Sequence, residues 1–386
     1  MKKILLLLSL LFSVACSHQT INNVAQENTQ ASQRKLSSEE FGIDWTRFIS
    51  DELMPSFGKF STEIVEKIQR RAVILLTTQE KINLKIPIQQ IAFANFRHAG
   101  VFYVATIPGI IVDQNNVVVK TDHIVEKIIF SEKHWAAKIR KETQSIEAHS
   151  ELSIFLKAGH GIQLIVNQDT KEKLKVIKTL NEPIVYSVEA VRSELHPTIG
   201  FFPYALGPNF ALARRIESST ERNIQHLDDP DRKIVSNHLD FKNTKSRIRY
   251  VSDPKDAVLV SSILKSNEDQ RHTAYEIVTN NCTNGIFNIL DSSLIYKNNK
   301  IDTERIRNAV IKFSQNDLKQ ILEYLKQQKF KAAQQGTALS AGLDETIDVI
   351  SKYSERATLK TEIPNDFLTT IPAFIGGHLQ ARGLIP

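Results

Sequence analysis

The chain opens on a dense apolar run, Ile4 to Phe12, behind Lys2 and Lys3. Positions 17–40 are polar and nearly free of large apolar side chains, so they read as a flexible tether. Folded structure is expected to begin near Phe41-Gly42-Ile43-Asp44-Trp45. Thr62 to Leu76 has a helical rhythm, and VFYVATIPGIIVDQNNVVVK (101–120) predicts apolar strands around a turn at Asp113–Asn116. Ile124 to Glu147 reads as a helix with Lys/Glu pairs on its wet face. In ELSIFL (151–156), Leu152, Ile154 and Leu156 alternate, which marks a strand. A turn over 157–161 and the run IQLIVN (162–167) then suggest a hairpin. IVYSVEAV (184–191) is a further strand, TIGFFPYALGPN (198–209) a loop, and the charged stretch 214–248 mostly a solvated face. Helical spacing dominates after Cys282, over 302–331, 343–357 and the apolar tail, and there is no internal repeat.

Composition sharpens the two ends of this picture. A basic start, a short apolar core and Ser13-Val14-Ala15 before Cys16 form a secretory signal. The apolar run is too short to remain as a membrane span, and no later segment is long and apolar enough to be one. Ala15-Cys16 reads as the end of a lipobox, with Cys16 the lipidated first residue of the mature chain, although Ser13 stands where a lipobox usually has Leu or Val and also suits an ordinary signal peptidase. Ser17 after it resembles the sorting rule for outer-membrane lipoproteins. The expected location is therefore the outer membrane facing the periplasm, with the membrane as a partner through the lipid on Cys16. The formal charge is +6, and loss of Lys2 and Lys3 leaves +4. No basic run with interleaved aromatics accompanies it, so nucleic acid is not implied.

There are only two cysteines in 386 residues. Lipidation of Cys16 leaves Cys282 as a lone thiol in a compartment where unpaired thiols are oxidised. Its sequence, VTNNCTNGIFNIL (278–290), places Ile286, Phe287, Ile289 and Leu290 on one helical stripe. Asn280 or Asn281 can cap that helix, and Cys282 falls in its first turn, where the helix dipole favours a thiolate. A histidine is needed to take the proton. His149, at the entry to the ELSIFL strand, is the choice over His160, in a turn, and His272, in a charged run. A buried filler role for Cys282 stands beside this reading, since free cysteine packs as a small hydrophobe. No metal-ligand spacing, phosphate loop or Gly-x-Ser-x-Gly elbow is present, so neither metal nor cofactor is expected.

Four segments, in order, resemble the Lnb N-terminal periplasmic domain family: AHSELSIFL (148–156), VYSVEAVRSE (185–194), ALARRIES (211–218) and AYEIVTNNCTNGI (274–286). Glu276 stands where that family usually has Asn, and Arg192 lies one place late. The resemblance implies an α+β fold with a permuted papain-like core, an antiparallel sheet with a cysteine-bearing helix, similar in order to lecithin–retinol acyltransferase-like and some NlpC/P60-like proteins. The chain is accordingly expected to divide into a signal peptide (1–15), lipidated tether (16–40), N-terminal α/β region (41–140), thiol-enzyme core (141–295) and helical C-terminal region (296–386), the resemblance itself covering about 148–290. The resemblance also implies Cys282 as nucleophile and His149 as base, with Ser187, Glu189, Asn281 and Thr283 as orienting or pocket residues. The expected activity is acyl transfer or hydrolysis through an acyl-thioenzyme on a lipid, lipoprotein or peptidoglycan-derived substrate. A peptidoglycan peptidase or amidase and a non-catalytic envelope scaffold are the alternatives.

Overall fold

The computed structural model describes residues 41–48, 72–134, 148–192, 210–224, 233–268, 282–296 and 375–386, with isolated positions at 322, 323, 326, 330 and 351. The expected signal, Cys16, Asn281, most of the expected helix over Thr62 to Leu76, and the body of the expected helices over 302–331 and 343–357 lie outside the described residues.

The chain is mixed α+β, with one large sheet and few helices among the described residues. Its strands are β1 (Ile74–Leu75), β2 (Gln90–His98), β3 (Val101–Val112), β4 (Val118–Thr121), β5 (Val125–His134), β6 (Ala148–Leu156), β7 (Ile162–Asn167), β8 (Glu172–Leu180), β9 (Ile184–Arg192), β10 (Phe210–Ser218) and β11 (Lys233–His238). The order across the sheet is β11-β5-β6-β9-β10-β2-β3-β7-β8, with β1 added to β2 and β4 to β3. Every pairing is antiparallel except β10 with β2, which meet in parallel at Glu217 and Arg97. Strands from the 41–140 and 141–295 regions therefore share one sheet.

Local chemistry sets several boundaries. Thr77 and Glu80 form a reciprocal capping box at the start of α1 (Thr78–Asn83), satisfying two otherwise orphaned amides. Asp113 closes the expected β3–β4 turn by accepting from the amides of Asn115 (2.8 Å) and Val117 (2.9 Å), and Asn116 takes a positive φ of 60° there.

Two expectations fail for long-range reasons. The helix expected over 124–147 is instead strand β5 through His134. Ile128 and Phe130 are buried at a spacing of two, and the Glu132 and Lys133 expected to face water are buried as well. The expected β6–β7 hairpin is absent. β6 lies between β5 and β9, whereas β7 lies between β3 and β8. Five strand spacings, about 24 Å, separate them along the sheet, and the connecting loop reaches only about 21 Å. The sheet must therefore curl. Accordingly, Gly109 of β3, with φ +89°, sits so close to Ile124 and His160 that a Cβ there would collide with Ile124.

Two long helices, α3 (Pro254–Glu268) and α4 (Cys282–Ser293), cover one face of the central strands. A two-stranded sheet, β12 (Thr244–Ser246) with β13 (Leu294–Tyr296), flanks them. Asp256, fully buried at the start of α3, accepts from the amides of Ile124 (3.1 Å) and Val125 (2.8 Å), tying that helix to β5. The expected stripe on α4 is found buried: Ile286, Phe287, Ile289 and Leu290. The helical spacing read in the tail becomes α5 (Ile375–Ala381), whose Ile375 and Leu379 complete the same core. The His378 ring stacks edge-on to Phe287 at 5.5 Å, and the Gly376 amide donates to Glu132 at 3.0 Å.

Candidate functional site

Strand β6 displays its residues alternately to two faces. Ser150, Leu152 and Ile154 face the helices, all fully buried. His149 and Glu151 face the other way, beside Lys133, which pairs with His149 in register and bonds the Glu151 carboxylate at 2.7 Å. The same alternation runs through β9 and β10. Glu151, Ser187 and Arg215 are register partners in one row across three strands.

Around that row lies a buried ionic cluster. Arg215 bonds Glu189 (3.1 Å) and Glu217. The short helix α2 (Ser219–Ile224) folds back at the end of β10, fastened by Glu182 to the Ser219 hydroxyl (2.9 Å) and the Thr220 amide (2.6 Å). It thereby directs Arg222 onto Glu151 (2.7 Å) and Glu189. Glu221 of the same helix pairs with Arg97 at 3.1 Å. Glu151, Glu189, Arg215, Glu217, Glu221 and Arg222 are all under a tenth exposed. The stretch 214–248, expected to be a solvated face, thus contributes Arg215, Glu217, Glu221 and Arg222 to the interior. Ion pairs can be buried only where each charge is matched and hydrogen-bonded, and here each guanidinium meets at least one carboxylate.

The electrostatics follow from this packing. Burial alone would raise the Glu151 carboxyl, but Arg222 and Lys133 outweigh it and hold it at about 2. Burial and then Arg222 push His149 down to about 3, against the opposing pull of Glu189 and Glu151, so the imidazole is neutral. Arg222 is held well above its ordinary value: burial opposes its charge, and Glu151, Glu189 and Glu217 more than offset that. Glu217 is raised, first by burial and against the Arg215 charge.

Cys282 arrives from the opposite face, at the first residue of α4, and is 1% exposed. The backbone N–H groups of Ser150 and Thr283 face its sulfur and favour the thiolate. The Ser150 N–H belongs to the peptide that joins it to His149, so Cys282 and the His149 backbone, 133 positions apart, meet within one peptide unit. α4 can approach this closely because residue 285 is glycine; any Cβ there would overlap the Val188 side chain on β9. Burial raises the thiol, outweighing the N–H groups that favour thiolate, so both Cys282 and His149 are uncharged in this state.

The sequence-expected residues therefore divide. Cys282 and Thr283 lie together at the helix start. His149, Ser187 and Glu189 belong to the ionic face, where the Ser187 hydroxyl donates to Glu189 at 3.5 Å and Glu189 bridges both arginines. Sequence reasoning missed Ser150, Lys133, Arg215, Glu217 and Arg222. A signal was available: His149-x-Glu151, Ser187-x-Glu189 and Arg215-x-Glu217 are polar pairs at spacing two inside otherwise apolar strands, the spacing that puts both members on one face. No cluster of metal-ligating side chains occurs among the described residues. Comparison with family models, with curated proteins and with solved structures found no match to this chain.

Proposed function

We propose that the chain is a cysteine-dependent acyl enzyme of the cell envelope, built on a permuted papain-like core and held at the outer membrane by a lipid on Cys16. The observation that carries this reading is the seat of the Cys282 sulfur, at a helix start and against the His149–Ser150 peptide. The histidine strand precedes the cysteine helix in the chain, as in the family that the four sequence motifs resemble. Cys282 attacks the carbonyl of an ester, thioester or amide. The thiol proton is taken by a base and returned to the departing group; the His149 ring, which faces away from the sulfur across β6, serves as that base only once the start of β6 turns it toward Cys282. The Cys282 N–H at the helix start can help stabilise the developing oxyanion. The acyl-thioenzyme then passes its acyl group to water or an amine. Because thiol and imidazole start uncharged, proton transfer accompanies attack rather than preceding it.

A thiol-directed acyl probe tests the reading on purified protein. The expected result is one adduct at Cys282 by mass spectrometry, lost in His149→Ala with the circular dichroism unchanged. An alkylation rate that rises only with the titration of an ordinary buried thiol, and is indifferent to His149→Ala, sinks it. The near-complete burial and raised pKa of Cys282 favour one rival, a non-catalytic envelope scaffold with a packed core cysteine. Full cellular function in a Cys282→Ala strain selects that rival.

A further inference from the structure

Strand β8 ends the sheet at the edge farthest from β11, and it does not follow its neighbour. The pairs Leu164–Lys178 and Val166–Lys173 bracket a slip in which β8 uses five residues where β7 uses two. Residues 174–177 therefore arch out of the ladder. Leu174 stays packed on the core, but Val176 is 73% exposed and Ile177 48% exposed. Lys171, Lys173, Lys175 and Lys178 surround them, with Glu172 the one acidic residue in the segment. Two of these cations are fixed in place: Lys173 donates to the Leu84 carbonyl at 2.7 Å, and Lys178 lies 3.2 Å from His98 Nε2. Burial and the charge of nearby Lys85 lower the pKa of Lys173, a sign of how closely positive groups are gathered at this edge.

Lysines and a bulge are ordinary protection for an edge strand against pairing with another chain. That role gives no reason to hold two β-branched side chains in water at the crest of the arch. We propose that the 171–178 arch is a contact for an anionic phospholipid surface. Val176 and Ile177 enter the boundary between headgroups and acyl chains, and the exposed Lys171 and Lys175 meet the phosphates. The combination of a small apolar insertion with a cationic surround is what such a surface binds. This contact stands apart from the thiol chemistry, and it does not require a lipid on Cys16.

The test uses the full chain, purified from the envelope and placed with nanodiscs of phosphatidylcholine, with or without phosphatidylglycerol, carrying acyl-chain bromines. Val176→Trp reports insertion through quenching of its fluorescence, and the unsubstituted chain supplies the background from Trp45 and Trp135. Quenching above background is expected with phosphatidylglycerol. It should fall about tenfold or more in a Lys171→Glu/Lys175→Glu background, each lysine being worth about fivefold in partitioning. Quenching at background in both disc types overturns the proposal and leaves the arch to solvent or an acidic protein. Equal quenching in both types also overturns it, because the contact would then owe nothing to lipid charge.

Discussion

The two faces of strands β6, β9 and β10 are built from alternate residues of the same segments, yet they obey different physics. The helix face, with Leu152, Ile154, Tyr186 and Val188, is held by burial of apolar surface, and each side chain contributes nearly independently. The opposite face, with Glu151, Glu189, Arg215, Glu217 and Arg222, is held by mutual neutralisation, and no member is stable there alone. An apolar face degrades in proportion to what is removed. An ionic face fails when one partner leaves, because the remaining charge is stranded away from water. Cys282 belongs to the first face and His149 to the second, so the candidate site lies where the two kinds of packing meet.

The largest expected effect is on the ionic face. Arg222→Met should destabilise the fold by about 3–5 kcal/mol in urea unfolding, because Glu151 and Glu189 lose their shared partner. Replacing Arg222 and Glu151 together by apolar residues should recover part of that loss, and a loss equal to the sum of the single changes would contradict the coupling. A smaller effect is expected where α4 meets β9. Gly285→Ala should cost about 1–3 kcal/mol by overpacking against Val188, and Val188→Ala in the same chain should relieve it. No relief would mean that α4 does not approach β9 through this glycine.

The protonic effect is graded: it is absent near neutral pH and accumulates as pH falls. His149 titrates at about 3 in the fold against an ordinary value of 6.5, so the unfolded chain binds the extra proton first as pH falls. Stability is therefore full above about 6.5 and declines toward 3, with a slope approaching about 1.4 kcal/mol per pH unit. Glu151, at about 2 against 4.5, adds a loss of the same sign between those two values. His149→Gln should flatten the upper window and leave the lower one, as read from chemical unfolding at stepped pH.

How much of this was legible in the sequence depends on whether the determinant was local. The β3–β4 turn was readable because Asp113 and Asn116 act within five residues. The alternation of β6 and the stripe on α4 were readable because burial follows each element's own period. Strand partnership was not: Leu156 and Ile162 are close in the chain, but β6 and β7 find partners elsewhere once the sheet curls. Nor was β5, where Glu132 and Lys133 suggested a wet helical face and tertiary partners took them inside. At the candidate site, the helix-start cysteine stood out by its own neighbourhood, and the choice of His149 leaned on a strand-entry pattern and a family likeness. The charges of FALARRIES look solvent-facing in the sequence because their matching partners lie on other strands and on α2, out of reach of any local window.

The docking of α5 also bears on the order of assembly. Ile375, Leu379 and His378 roof the helix that carries Cys282, and they come more than eighty positions after it in the chain. As the polypeptide emerges from its N-terminal end, the thiol-bearing helix and the Phe287 ring must wait for that roof while the intervening length is made. Throughout that interval the Phe287 flank of the helix is incompletely sealed, so the late-arriving segment guards the nascent molecule against clumping.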